Sequence, residues 1–165
     1  MKLWHSCQVK ILKTQEDYLR ALKEAIRGAS AIDFASYNTY LSAVIHRGRF
    51  RFGPNGALLK SLNNLSDCSV RVIIGAPKKI TEEGLRQKMR FFSETFQNIS
   101  FKSVRKSHLK LVIIHQAGET AVFTGGRNLM DSSWTDLMLQ ITGPLGFSNE
   151  LCDFYNSTWD KGRDW

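Results

Sequence analysis

Cysteine, proline and long apolar runs are all scarce in this chain of 165 residues. Its three cysteines, Cys7, Cys68 and Cys152, stand far apart, and no Cys-x-x-Cys pair occurs. That spacing argues against a zinc knuckle or a dithiol redox motif. Scattered thiols fit a reducing compartment, so a cytoplasmic setting is expected. No stretch approaches the roughly 18 consecutive apolar residues of a membrane-spanning helix. The opening residues Met1-Lys2-Leu3-Trp4-His5-Ser6 lead into no apolar run, so no secretory leader is expected. With three prolines, 42% hydrophobic and 23% charged residues, the composition argues against disorder. The length suits a single domain, 1–165, within the common range of about 100–200 residues.

Acidic residues are also in short supply, but only in one part. Lys and Arg number 23 against 15 Asp and Glu, a net charge of +8. Residues 1–100 hold 16 basic and 8 acidic side chains, while residues 101–165 hold 7 of each. A basic surface attracts polyanions, either nucleic acid or an anionic membrane. Solubility alone accounts for such a charge equally well.

Apolar periodicity alternates between strand and helix. Short strands are expected at 7–12, 31–37, 69–75 and 99–104. Thr14 reads as the cap of a helix carrying Tyr18, Leu22 and Ala25. Thr81 caps another carrying Leu85, Met89, Phe92 and Phe96, and a helix is expected at 56–65. Strands at 109–115, 120–124 and 136–142 follow, then a helix from about 148 to 159. This order argues for an α/β fold, a mixed β-sheet flanked by helices on both faces. The segment from Asn38 to Asn55 reads as a loop in which Arg47, Arg49 and Arg51 interleave with Phe50 and Phe52 before Gly53-Pro54.

The chemistry concentrates at His108-Leu109-Lys110. On a strand, alternate side chains share a face, so the imidazole and the ammonium would stand together. Such a pair suits a phosphate group, the imidazole as nucleophile and the lysine against the oxygens. Alone the triplet says little, and a strand histidine is more often structural.

His108-x-Lys110-x4-His115, followed by Gly125-Gly126-x-Asn128, resembles the His-x-Lys-x4-Asp signature of the phospholipase D superfamily. The likeness extends through Trp134-x-Asp136 to Gly143-Pro144, Phe154 and Trp159. It implies a phospholipase-D-like fold and a two-step phosphodiesterase needing neither metal nor cofactor. His108 would form a phosphohistidine, Lys110 and Asn128 would hold the phosphoryl oxygens, and Asp136 would orient His108. One signature supplies one histidine, so the resemblance implies a homodimer in which two copies share a site. His115 departs from the signature aspartate. By strand alternation it falls on the face opposite His108 and Lys110, so the departure bears on stability or positioning, or marks an inactive copy.

Nucleic acid is the preferred substrate, DNA before RNA. Arg47, Arg49 and Arg51 offer phosphate contacts and Phe50 a stacking surface, with Lys78, Lys79 and Lys106 as further cations. The expected activity is therefore that of an endonuclease. The alternatives are a phospholipid hydrolase or transferase, with a membrane lipid as partner, and an inactive nucleic-acid-binding module.

Overall fold

The fold is described from a computed structural model. It covers residues 6–36, 44–46, 49–51, 54–76, 80–105, 107–125 and 137–165, and for 44–46, 49–51 and 54–57 the backbone only. The elements run β1 (Gln8–Leu12), α1 (Gln15–Ile26), β2 (Ala31–Ser36), β3 (Val44–His46), β4 (Arg49–Arg51), α2 (Pro54–Asn63), β5 (Ser69–Ala76) and α3 (Glu82–Thr95). Then come β6 (Ile99–Arg105), β7 (Leu111–Gln116), β8 (Glu119–Gly125), β9 (Met138–Pro144) and α4 (Asn149–Asp160).

Local sequence explains most of these boundaries. The Thr14 hydroxyl accepts from the Asp17 N–H at 3.1 Å, and that of Thr81 from Gly84 at 3.1 Å, so both open helices as expected. Pro54 stands at the first position of α2, where its missing N–H costs nothing. Gly118, at φ 88, makes the turn between β7 and β8.

Seven strands form one mixed sheet in the order β1-β9-β8-β7-β2-β5-β6. β2, β5 and β6 are parallel, while β7, β8, β9 and β1 continue as antiparallel neighbours. The crossovers β2→β5 and β5→β6 step in the same direction. Right-handed connections then put their helices on the same face. α1, α2 and α3 accordingly bury Leu22, Leu59, Leu62, Leu85, Met89 and Phe92 against Phe34, Val72, Val112 and Phe123. α4 lies on the other face, where Tyr155 packs with Ala35, Ile73, Leu111, Ile113 and Val122. The expected mixed sheet with helices on both faces is therefore what the chain forms.

α4 leaves part of its face uncovered. Val9 and Ile11 pair with Ile141 and Leu139 on this side and are 64% and 53% exposed. Leu137, Leu151 and Phe154 are exposed as well. Asn156 on one flank of α4 bonds to Arg71 of β5, so helical periodicity turns Leu151 and Phe154 toward β9 and β1.

Gly125 closes β8 against β9. A Cβ there would meet Met138 Sδ at 2.6 Å, Met138 Cα at 3.1 Å and the carbonyl oxygen of Leu137. Gly125→Ala is expected to destabilise the fold by about 1–3 kcal/mol through overpacking, read from the urea unfolding midpoint.

Candidate active site

The sheet gathers the motif residues at one edge. β2 ends at Ser36, β5 at Ala76, β6 at Arg105 and β8 at Gly125, while β7 begins at Leu111 and β9 at Met138. The pairs Ser36↔Ile74, Ala76↔Arg105, Ala35↔Leu111 and Gly125↔Met138 bring these termini to the same side. In open α/β sheets ligands commonly meet this edge, outside the carboxyl ends of the parallel strands.

His108 and Lys110 lie there, immediately before β7. The sequence places them on the strand, but the ladder with β2 stops at Ala35↔Leu111, and residues 107–110 precede it. Their shared side survives this difference. Leu109, Leu111 and Ile113 all pack toward α4, so alternation sets His108 and Lys110 with Val112 and Ile114 on the α1–α3 side. His108 is exposed and Lys110 half-buried. The Thr124 hydroxyl donates to the carbonyl oxygen of Lys110 at 3.1 Å, tying the approach to β7 onto β8. Thus an accessible imidazole and a partly shielded ammonium flank the edge, a pairing suited to attack on phosphorus.

Asn128 and Asp136 lie outside the described residues, within the segment that begins after Gly125 and rejoins the sheet at Met138. Arg47, Lys78, Lys79 and Lys106 also lie outside them. Arg49, Phe50 and Arg51 form β4, paired antiparallel with β3 as His46↔Arg49, Ile45↔Phe50 and Val44↔Arg51. The segment read as a loop thus contains a two-stranded ribbon. The arginine–phenylalanine alternation is itself the signal for a strand, overlooked because Gly and Pro follow so closely.

His115 lies on the α4 side, opposite His108 and Lys110, as alternation requires. Its Nε2 stands 3.8 Å from Asp33 Oδ2, beyond an ordinary hydrogen bond. Asp33 is buried and receives two bonds from Arg71, Nε to Oδ1 at 2.7 Å and a terminal nitrogen to Oδ2 at 2.8 Å. Burial works against the Asp33 carboxylate, but His115 and Arg71 outweigh it and hold its carboxyl below the ordinary range. Arg71 also donates to Asn156 at 2.9 Å and lies over the rings of Tyr155 and Trp159. The Tyr155 hydroxyl donates to the carbonyl oxygens of Arg71 and Phe34. This network joins β2, β5, β7 and α4. It was missed in the sequence, although a lone acid in Ala-Ile-Asp-Phe-Ala and a lone base in Val-Arg-Val are the signals for it.

Among the described residues, no three His, Cys, Asp or Glu side chains gather as metal ligands. No described helix is long and apolar enough to cross a membrane.

No family model and no curated protein matches the sequence. Solved structures do match in fold. One is Nuc from Salmonella typhimurium, a phospholipase D family member, with a TM-score of 0.63 at 15% identity, covering 97% of both chains. Another is NucT from Helicobacter pylori, with a TM-score of 0.63 at 13% identity, covering 96% of this chain and 99% of that one. A third is TrmBL2, an archaeal chromatin protein described as binding DNA, at 0.56 and 11% identity, covering 96% of this chain and 55% of that one. The chain has the fold of the phospholipase D family.

Proposed function

We propose that this chain, built on the phospholipase D fold, is a metal-independent phosphodiesterase of that superfamily that cleaves nucleic acid, DNA in preference to RNA. The observation that carries the reading is the placement of His108 and Lys110 together at the sheet edge where Gly125 leads toward Asn128 and Met138 follows Asp136. His108 attacks phosphorus, a P–N bond forms, and the P–O bond to the leaving oxygen breaks. A second imidazole protonates that oxygen, then takes a proton from water as the water attacks and releases His108. Lys110 and Asn128 stabilise the charge on the non-bridging oxygens, and Asp136 orients the imidazole. The protein works in the cytoplasm.

The test is cleavage of single- and double-stranded DNA and RNA, and of anionic phospholipid vesicles, in excess EDTA. Release of nucleotide fragments supports the nuclease. Release of phosphatidic acid alone transfers the same chemistry to lipid. Binding of DNA without turnover leaves the binding module as the function.

The second imidazole comes from a second copy. The uncovered apolar face of β1, β9 and α4 supports this, because Leu137 continues that face up to the catalytic edge. Sedimentation should give a particle of twice 18.8 kDa. The Val9→Asp/Phe154→Asp variant should sediment as a monomer and lose cleavage, and a dimeric variant would place the interface elsewhere.

Arg47, Arg49 and Arg51 act on the backbone of the nucleic acid. Replacing all three by alanine is expected to weaken binding to any sequence. It should also flatten the dependence of log K on log salt by up to about 3 units of slope. An unchanged slope would return them to an ordinary solvated surface.

A further inference from the structure

Ser36 ends β2 at the catalytic edge and is only 1% exposed, yet its hydroxyl has no hydrogen-bond partner among the described residues. Other buried serines are satisfied. Ser103 accepts from the Trp165 indole at 2.6 Å, and Ser148 stands 3.7 Å from Cys152 Sγ. An orphan hydroxyl in a closed site destabilises the fold, and alanine would fill the position without that cost. Its address is informative. The last β2–β7 pair is Ala35↔Leu111, so one step further sets Ser36 beside Lys110. Phe34 and Val112, two pairs inward from that step, both face the α1–α3 side, and alternation gives Ser36 and Lys110 the same side.

We infer that Ser36 is a positioning residue for Lys110, its hydroxyl accepting a hydrogen bond from the ammonium when a phosphodiester occupies the edge. The inference rests on the reading of Lys110 as the phosphate-binding group. An ammonium has three donors and no acceptor. The non-bridging oxygens of the substrate engage part of that set, and the hydroxyl lone pairs take up another donor, fixing Nζ against the phosphorus. The hydroxyl is thus left unpaired at rest and used during turnover, which explains a buried polar atom where an apolar one would be more stable.

The test compares wild type with Ser36→Ala and Ser36→Cys on bis(p-nitrophenyl) phosphate in EDTA. Ser36→Ala should melt about 2–4 °C higher, because the orphan is gone. Its kcat should fall by about tenfold or more at unchanged KM. Ser36→Cys, close in size but a weak partner, should be slowed alike. A variant that melts lower, or one that melts higher and keeps the wild-type kcat, overturns the inference. If wild type hydrolyses nothing, the catalytic reading fails separately, and the Lys110 ammonium is followed by NMR in inorganic phosphate. A phosphate-induced change in the Lys110 ammonium resonance that is smaller in Ser36→Ala than in wild type sustains the role of Ser36, and equal changes overturn it.

Discussion

His108→Ala should lower metal-free phosphodiester cleavage by roughly 10³-fold or more while leaving the melting temperature in place. The two halves of that result have different origins. The imidazole is exposed just before β7, so its removal opens no cavity in the core. Exposed substitutions of this kind usually stay within about 0.5 kcal/mol. The chemical loss should be large because, in the proposed shared site, both the attacking imidazole and the proton donor would come from position 108. Mixed dimers of wild type and variant sharpen the test. They retain a nucleophile or an acid but never both, so activity should follow the fraction of wild-type homodimer. Activity that instead falls linearly with added variant would show that each copy works alone. Retained cleavage in the pure variant would remove His108 from the mechanism.

Much of this fold is legible in the sequence because its signals are local. Thr14 and Thr81 cap helices through their own hydroxyls, and the apolar strands 31–37 and 69–75 are bounded by turn residues. The proximity of His108 and Lys110 follows from alternation within a few residues. What escaped notice depends on partners distant in sequence. Asp33 and Arg71 are 38 positions apart and meet only because β2 and β5 pair in the register Asp33↔Arg71. Each apolar run shows a lone charge, but neither shows which strand supplies its partner. Ser36 is similar, since its significance lies in the strand that begins beside it. The strand start at Leu111, rather than two residues earlier, likewise depends on the ladder with β2, whose last pair is Ala35↔Leu111. His115 shows the same division. Its side of the sheet is legible from alternation, but the carboxylate it approaches comes from another strand.

The Asp33–Arg71 pair should therefore dominate the stability of the α4 side. Arg71→Met is expected to cost about 2–4 kcal/mol at neutral pH, because it leaves Asp33 as a buried charge without the guanidinium that pairs with it. The figure stands toward the low end for buried pairs, since the Arg71 side chain is 31% exposed. The sign with pH follows from the partners. In wild type the Asp33 carboxyl is held low, so its stabilisation is present above the ordinary carboxylate range and is lost as pH falls through the lowered value. Without Arg71, burial prevails and the carboxyl moves up. Protonation then relieves the variant, so its deficit against wild type should narrow as the medium is made acidic. Urea unfolding of both proteins at pH 7 and near pH 3.5 measures this, and an equal deficit at the two values would refute the charge-based account. Asp33→Leu combined with Arg71→Met should recover most of the loss, as apolar replacement of a whole buried pair often does. The pair faces α4, away from the side that His108 and Lys110 share. The folded fraction of Arg71→Met should therefore cleave at close to the wild-type rate, separating what holds the sheet together from what acts at its edge.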